Sequence, residues 1–367
     1  ITACAKAGQW ERALALLEEM QRAGVAPNAV NFGAAMDACA RSGRWRRTLS
    51  LLGEMRGAGV SPTVIHFNTA IKACSKGGRW RHALSLLGEM RGAGVEPDRI
   101  SFNTAVAACA EGGRWRRALS VLGDMAGVGV APDQLLCRDY DQVTYGAAIK
   151  ACAKGGEWVR ALSLLERMRA EGVPRNDIVF NAAIAACAKA GRWRRALSLL
   201  EEMRAAGVAP DGVSYTSAID ACGKGGNWEG ALTLLAEMCS APGGRVRPNT
   251  ISCNAAMDAC ARRGQWRGAV FVLEKMKGME GVRPDAISFS NAIKACAKGG
   301  EWERALSLLE EMEEAGVSHD TVSFNIAIAA CAKGGQWGRA LSLLEEMRRE
   351  GLTPDKVSLT LSPLGSV

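Results

Sequence analysis

Thirteen cysteines are the most reactive side chains in this chain of 367 residues. Thiolates bind metals, form disulfides and attack electrophiles, but a metal site or a redox pair needs partners at short, defined spacings. No Cys-x-x-Cys pair occurs, and only three histidines are present, His66, His82 and His319. Ten cysteines instead share one position of a repeated segment, namely Cys4, Cys39, Cys74, Cys109, Cys152, Cys187, Cys222, Cys260, Cys296 and Cys331.

This shared position predicts a packing role for the ten cysteines. Neighbouring helices lie about 8–10 Å apart, whereas the Cα atoms of a disulfide lie within about 7 Å. We therefore expect small buried side chains that stay reduced, as in a reducing compartment. No metal or other cofactor is expected.

Charged side chains also recur once per repeat, directly before a pair of mostly glycine residues. Nine are basic and one is acidic, which gives +8, the formal net charge of the whole chain (46 − 38). They are Lys6, Arg41, Lys76, Glu111, Lys154, Lys189, Lys224, Arg262, Lys298 and Lys333. Cations with this period suit the phosphates of a nucleic acid. The dipole at a helix C-terminus favours the same residues, so a purely stabilising role is the alternative.

Ten tryptophans define the period. Six of the nine gaps between them are 35 residues, and the others are 43, 38 and 36. They are Trp10, Trp45, Trp80, Trp115, Trp158, Trp193, Trp228, Trp266, Trp302 and Trp337. A fixed period in this range predicts a solenoid, in which each repeat buries its apolar face only against its neighbours. A tryptophan in every repeat indicates a residue that fills the space between helices.

The segment from Arg99 to Asp133 shows the elements of one repeat. A first helix is predicted after the N-cap Asp98 and before Gly112-Gly113, because glycine accepts the left-handed conformation that ends a helix. Its apolar residues at helical spacing are Ile100, Phe102, Val106 and Cys109. An amphipathic stripe from Trp115 to Met125 predicts a second helix. Each repeat is therefore a helix–turn–helix hairpin, and the chain is predicted to be all-α without strands.

Nine complete repeats are predicted in residues 29–355. Residues 1–28 form a partial repeat, and residues 356–367 a broken terminal repeat in which Pro363 would interrupt a helix. The departures from register are predicted between helices, at Gln134–Asp141, Cys239–Arg245 and Lys277–Gly281. Because insertions in loops leave the stacking faces unchanged, we expect one solenoid.

The repeat that runs from Val322 to Asp355 carries several motifs in register with the others. They are Val-Ser-Phe-Asn, Ala-Ala-Cys-Ala-Lys-Gly-Gly, Arg-Ala-Leu, Glu-Glu-Met and Pro-Asp. This combination strongly resembles the pentatricopeptide repeat family over essentially the whole chain, as a P-type array that lacks its N-terminus. Tetratricopeptide repeats differ in period and place a tryptophan early in the first helix.

The resemblance implies a right-handed superhelical solenoid of about ten 35-residue repeats, whose first helices line a groove for single-stranded RNA. Two side chains per repeat would select one base. The helix position directly follows the aromatic residue of the first helix, and the loop position is the last loop residue after the proline. An amide or hydroxyl there can meet the Watson–Crick edge of an unstacked base. A role as an N-cap alone is the alternative for each loop residue.

The family's pairing rules assign a base to seven of the nine repeats. Five pairs resemble uridine readers: Asn68 with Asp98, Asn103 with Asp133, Asn181 with Asp211, Asn254 with Asp285, and Asn325 with Asp355. Thr216 with Asn249 resembles an adenine pair, and Ser290 with Asp320 a guanine pair. Gly33 with Thr63 and Gly146 with Asn176 lack a side chain at the helix position, so their bases stay open. The predicted RNA is 5′-N-U-U-N-U-A-U-G-U-3′.

Aliphatic residues two places after the loop position, counted without the Gln134–Asp141 insertion, are candidates for stacking on the bases. They are Ile65, Ile100, Val143, Ile178, Val213, Ile251, Ile287 and Val322. Packing inside the fold is the alternative. The resemblance assigns phosphate contacts to Lys76, Lys154, Lys189, Lys224, Arg262, Lys298 and Lys333. The second-helix pairs Arg46-Arg47, Arg116-Arg117 and Arg194-Arg195 are expected to form a solvated face.

We expect a binding protein and not an enzyme. RNA-editing relatives carry a zinc deaminase with His-x-Glu and Pro-Cys-x-x-Cys motifs, and neither motif occurs. RNA-cleaving relatives carry a further acidic, metal-binding domain, for which the repeats leave no segment.

The expected function is sequence-specific binding of single-stranded RNA in organellar RNA processing, stability or translation, in a chloroplast or mitochondrion, with recruited protein factors. The alternatives are a scaffold for a peptide or protein and the RNA-binding part of an RNA-processing enzyme. No run of 18 apolar residues occurs, so a membrane partner is not expected.

Overall fold

The computed structural model describes residues 1–127, 138–240 and 246–353, with side chains for residues 1–125, 142–240 and 246–353. These residues form twenty helices and no strand. The odd-numbered, first helices of the repeats are α1 (Thr2–Lys6), α3 (Ala29–Arg41), α5 (Val64–Lys76), α7 (Arg99–Glu111), α9 (Arg138–Gly155), α11 (Asp177–Lys189), α13 (Gly212–Gly225), α15 (Thr250–Arg263), α17 (Ala286–Gly299) and α19 (Thr321–Lys333). The even-numbered, second helices are α2 (Trp10–Arg22), α4 (Trp45–Gly57), α6 (Trp80–Gly92), α8 (Trp115–Gly127), α10 (Trp158–Ala170), α12 (Trp193–Ala205), α14 (Trp228–Ser240), α16 (Trp266–Lys277), α18 (Trp302–Glu314) and α20 (Trp337–Arg349).

The helices form an array of hairpins. Within the N-terminal and C-terminal parts of the array, a first helix packs against the second helix of its own repeat and the first helix of the next, as α5 does with α6 and α7 and as α15 does with α16 and α17. The predicted all-α array of helix–turn–helix repeats is thereby confirmed. Contacts along the chain divide it into two units, an N-terminal unit of Ile1–Ala186 and a C-terminal unit of Cys187–Val367.

The two glycines after the first helix have different roles. Gly113 has a φ of 64°, which favours glycine, whereas Gly112 is right-handed with a φ of −78°. A Cβ on Gly112 would lie 2.8 Å from Cδ1 of Trp80. The first glycine is therefore needed for the approach of the preceding repeat's tryptophan. The prediction that the left-handed conformation explains the pair was wrong for its first member.

The tryptophans fill the space between successive repeats, as predicted. Cδ1 of Trp45 lies 2.6 Å from the place of a Cβ on Gly77, and Trp302 lies equally close to Gly334, at 2.5 Å. Most of the indoles are half-buried by this packing. Trp337, after which no further helix is described, is 46% exposed.

The repeated cysteines lie inside the fold. Nine of the ten are buried, Cys4 is partly buried, and none of the cysteines that the structure describes is in a disulfide. Burial raises the pKa of thiols such as Cys109 to about 11. They are therefore protonated packing residues, as predicted, and lack the thiolate character of nucleophiles or metal ligands.

The predicted insertion and the predicted terminal repeat lie partly or wholly outside the described residues. Helix α9 begins at Arg138, inside the insertion predicted at Gln134–Asp141, so part of that insertion extends a helix and is not a loop. Residues 134–137, the loop position Asp133, Asp355 and the broken repeat at 356–367 lie outside the described residues.

None of the described helices has the length and apolar character that crossing a bilayer requires.

Candidate nucleic-acid interface

An aliphatic residue near the start of each first helix is exposed from α3 to α19. All eight predicted stacking residues belong to this row, with exposed fractions from 47% at Ile100 to 72% at Ile65. Phe102, two residues after Ile100, is fully buried. Packing inside the fold is therefore wrong as an explanation of the row, and Ile100 does not belong to the buried face on which its spacing placed it. The exposure of this row is what contact with a base would require, and the stacking role of these residues stays a prediction.

Three side chains from two successive repeats form a hydrogen-bonded cluster at Asn68, a candidate readout site. Asn68, on α5, donates through Nδ2 to Oδ1 of Asp98 over 3.0 Å, so the helix and loop positions are in direct contact. The hydroxyl of Ser101, on α7, lies 2.6 Å from Asn68 Oδ1 and 2.8 Å from Asp98 Oδ1. Asp98 Oδ1 also accepts the Ser101 N–H and so caps α7. The N-cap alternative and the readout position are thus compatible.

The same arrangement occurs in the C-terminal unit. Asn254 Nδ2 donates to Asp285 Oδ1 over 3.0 Å, and the Ser288 hydroxyl lies 2.6 Å from Asn254 Oδ1. Burial alone would raise the pKa of Asp285, but hydrogen bonds from Ser288 and Asn254 outweigh it and hold the pKa below its usual value. The site therefore presents a carboxylate acceptor beside an amide whose orientation is fixed by the serine.

The two repeats with glycine at the helix position are built differently. The imidazole of His66 lies where a side chain at Gly33 would begin, with Nε2 3.2 Å from the place of a Cβ. His66 Nε2 donates to Ala29 O, and Nδ1 accepts from Thr63. At Gly146 the same space is approached by Val179, whose Cγ2 lies 3.6 Å from the place of a Cβ.

His66, Val179, Ser101 and Ser288 all occupy the third position after the loop residue. We call this the third readout position. It could not be recognised from the sequence, because an Asp-x-x-Ser pattern indicates only a capping box. Where the helix position is glycine, as at Gly33 and Gly146, the third readout position is bulky. Where the helix position is Asn68 or Asn254, the third readout position is serine.

The remaining helix positions differ in their contacts. Thr216 donates to Gly212 O over 2.6 Å. Ser290 Oγ has no hydrogen-bond partner among the described residues, nor does Asn103 Nδ2 or Asn325 Oδ1, and all three atoms are buried. The loop-position partners predicted for Asn103 and Asn325 lie outside the described residues.

The other predicted readout residues lie at the expected places on their helices. Asn103 Oδ1 accepts from the hydroxyl of Thr144. Asn181 lies on α11, while Asp211, Asn249 and Asp320 are the N-caps of α13, α15 and α19.

An open cleft of about 500 Å³ in the C-terminal unit is lined both by exposed aliphatic residues and by a residue at the helix position. Its lining includes Ile251 and Ile287, the aliphatic residues of two successive repeats, and Asn254 at the helix position between them. Asp220 and Asp258 also line it. The volume is within the range of small-molecule sites, and the arrangement offers two apolar faces with a polar edge.

The predicted phosphate-contact residues are exposed, but several already have a carboxylate partner. Lys224 Nζ lies 2.6 Å from Asp220, and Arg262 Nε lies 2.7 Å from Asp258. Lys154 contacts Glu111 over 2.9 Å, and hydrogen bonds from Lys150 and Lys154 lower the pKa of Glu111 to about 2.

The row is therefore not uniformly available to phosphates. Lys76, Lys298 and Lys333 have no carboxylate within 4.0 Å in the described part of the chain, and Lys189 is exposed at the end of α11.

No group of three His, Cys, Asp or Glu side chains that could hold a metal occurs in the part of the chain that the structure describes.

Comparisons with known proteins give one family. The PPR repeat family matches residues 62–111, 175–224, 248–298, 284–333 and 319–361. The pentatricopeptide repeat domain matches residues 15–77, and a further PPR repeat matches residues 1–25, 100–130, 143–173 and 213–241. No curated protein matches the chain.

Solved structures of similar fold are pentatricopeptide repeat proteins. The crystal structure of PPR10 from maize aligns with a TM-score of 0.54 at 24% identity, over 96% of this chain and 58% of that chain. PPR10 in complex with an 18-nt psaJ RNA element gives a TM-score of 0.38 at 25% identity, over 98% and 64%. The PPR domain of Arabidopsis thaliana protein-only RNase P 1 in complex with tRNA gives 0.36 at 14% identity, over 59% and 94%.

This chain spans less than two thirds of the length of maize PPR10. The likeness to PPR10 supports the fold of stacked helical hairpins. Because the family matches together extend over far more than half of the chain, the protein belongs to the pentatricopeptide repeat family.

Proposed function

We propose that the chain binds single-stranded RNA in a sequence-specific manner, with one base per repeat, along the surface formed by its first helices. The preferred sequence is 5′-N-U-U-N-U-A-U-G-U-3′, from the family's pairing rules applied to the helix and loop positions. The bound protein acts in an organelle, a chloroplast or mitochondrion. There it protects or remodels a transcript or recruits protein factors to it. Its role is binding and not catalysis.

The observation that carries the proposal is the geometry around Asn254. Ile251 and Ile287 supply apolar faces in one cleft, and the exposed fractions of 68% and 60% leave both free to contact a base. Between them the amide of Asn254 is hydrogen-bonded to the Asp285 carboxylate. A planar base with a donor and acceptor edge is the ligand that such a site fits, because aliphatic side chains contact its faces while the amide and carboxylate meet its edge.

The proposal is tested by changing one base preference. The variant Asn254→Thr/Asp285→Asn gives this repeat the residues of the Thr216–Asn249 repeat, so the seventh base should change from U to A. A lost or gained base-edge hydrogen-bond pair is worth about 1–3 kcal/mol, so a preference change of roughly tenfold or more is expected. Fluorescence anisotropy with RNAs that differ only at the seventh base measures it.

Asn227→Thr provides the matched control, because it makes the same change at a residue just before α14, outside the readout positions. It should leave the preference at the seventh base unchanged. Equal affinity of the wild-type chain for the predicted RNA and for a scrambled RNA would contradict the proposal. So would an unchanged preference for U in the Asn254→Thr/Asp285→Asn variant.

A further inference from the structure

A second basic surface lies in the N-terminal unit, away from the readout positions. Three successive second helices, α4, α6 and α8, begin at a tryptophan with an arginine on each side. We call this surface the arginine edge. It comprises Arg44, Arg46, Arg79, Arg81, Arg114, Arg116 and Arg117, all of which are exposed.

The arginines of the edge stack on the indoles in a regular order. Arg46 and Arg79 each lie over the ring of Trp45, at 5.1 Å and 5.2 Å from its centroid. Trp80 has the same pair of neighbours in Arg81 and Arg114, at 5.3 Å and 5.5 Å. These four guanidinium groups are thus held against aromatic faces, and their N–H groups remain directed at partners in the plane of each group.

Helix electrostatics do not favour these positions. The N-terminus of a helix carries a positive partial charge, so cations there are repelled and acidic residues are preferred. In the described residues, none of the seven arginines has a carboxylate within 4.0 Å. The neighbouring Arg47 differs, since it contacts Glu18 and Glu54 at 3.5 Å. The edge is therefore an uncompensated cluster of positive charge.

The C-terminal unit shows that a repeat folds without flanking arginines. The residues that flank Trp228 are Asn227 and Glu229, and those that flank Trp302 are Glu301 and Glu303, whereas Trp193 is the one tryptophan of that unit with an arginine on each side, Arg192 and Arg194. Stacking accounts for an arginine beside a tryptophan, but not for a pair of them in three successive repeats. A cleft of about 410 Å³ opens on the edge, lined by arginines, Trp80 and Trp115.

We propose that the arginine edge binds the phosphate backbone of RNA without regard to base sequence. Guanidinium groups make bidentate hydrogen bonds to phosphate, and a row of seven uncompensated cations matches a polyanion. Each arginine of the edge follows closely on the end of a first helix, as Arg79 follows Lys76 by three residues. In this proposal, RNA that extends beyond the readout positions binds at this edge. Arg46, Arg116 and Arg117 are exposed, as the solvated face expected from the sequence requires, and the proposal adds a ligand to that face.

The test compares two triple variants of the full chain. In Arg46→Gln/Arg81→Gln/Arg116→Gln, binding of a 30-nt RNA without the predicted motif should weaken about tenfold. The slope of log affinity against log salt should fall by about 2, because each lost phosphate contact contributes about 0.7 on single strands. Binding of the 9-nt predicted RNA should stay within twofold. The control Arg22→Gln/Arg56→Gln/Arg91→Gln removes the same charge at the C-terminal ends of α2, α4 and α6. It should leave the affinities for the 30-nt RNA and for the 9-nt RNA unchanged.

Two affinity results would overturn the proposal: an unchanged affinity of the glutamine edge variant for the 30-nt RNA, and an equal loss of that affinity in the control. Preferential binding of poly-glutamate over RNA at the edge would also overturn it and would indicate an acidic protein partner. The variant Arg46→Lys/Arg81→Lys/Arg116→Lys keeps the charge and should bind the 30-nt RNA with intermediate affinity, even if the glutamine variant fails to fold. Edge-dependent 30-nt binding without any preference for the 9-nt motif would reject base reading and leave the edge intact.

Discussion

The neighbouring readout sites at Gly33 and Asn68 fill the same space in opposite ways. At Asn68 the side chain comes from the helix position, and a small serine, Ser101, orients it through a 2.6 Å contact. At Gly33 the helix position is empty, and the imidazole of His66 enters from the next repeat. Both of its ring nitrogens are engaged, by Thr63 and by Ala29 O.

From this difference we infer that the helix position and the third readout position share a limited space. A polar side chain at the helix position requires a small residue at the third readout position. A large residue at the third readout position requires glycine at the helix position. His66 is 5% exposed, so it closes the site and leaves no free ring nitrogen for a base. We therefore expect the Gly33 repeat to contribute weak base preference, or none.

Breaking the packing at His66 should have the largest effect. His66→Ser removes a buried ring and two hydrogen bonds and should lower the free energy of unfolding by about 2–3 kcal/mol. Gly33→Asn alone should destabilise by about 1–3 kcal/mol, because a Cβ meets Nε2 at 3.2 Å and the side chain has no room. Denaturant unfolding measures both.

Together the two changes should compensate each other. In Gly33→Asn/His66→Ser the amide takes the space of the imidazole. The loss of unfolding free energy in the double variant should therefore be smaller than the sum of the two single losses by about 1 kcal/mol or more. Gly53→Asn, on α4 at a glycine with open space around it, controls for the helix propensity of asparagine. Additive effects at Gly33 and His66 would contradict the size limit.

A smaller effect is expected from the serine that orients the asparagine. Ser288→Ala should cost about 1 kcal/mol of stability and weaken binding of the predicted RNA about threefold, since Asn254 loses the contact that fixes its amide. Ser323→Ala is the matched control, because the Ser323 hydroxyl pairs with Asp320 N–H and O without a recorded contact to a helix position. It should show the stability loss without the same loss of affinity. Equal affinity losses in the two variants would assign Ser288 a capping role only.

The period, the helical hairpins and the buried cysteines were predictable from the sequence, because each repeats with its neighbours and burial follows the period. The adjacency of Asn68 and Asp98 also followed, once the family resemblance set the register, and their role in reading a base stays a prediction. The third readout position did not follow. Ser101 sits in a capping pattern, and only the structure shows that its hydroxyl also reaches Asn68.

Two further features could not be derived from the sequence as it was interpreted. Gly112 indicates a helix end, whereas its lack of a Cβ is needed by Trp80, 32 residues earlier in the chain. The charge of Arg262 suggested a phosphate contact, but Asp258, one helical turn before it, lies 2.7 Å away. The i,i+4 spacing that pairs these two residues is visible in the sequence. Whether the side chains meet each other or a ligand depends on their rotamers.

The smallest expected effect separates the two types of site by their response to acid. The pKa of Asp285 is held below its usual value by hydrogen bonds, so the carboxylate contributes stability above about pH 4, the pKa of an unfolded aspartate. That contribution is lost as the pH falls through the folded-state pKa. The Gly33 repeat has Thr63 at this position and contributes no such dependence. In Asp285→Asn, stability measured by urea unfolding between pH 5 and pH 2.5 should therefore fall less steeply than in the wild-type chain. Parallel curves for the two proteins would mean that the hydrogen bonds from Ser288 and Asn254 do not favour the ionised form of Asp285.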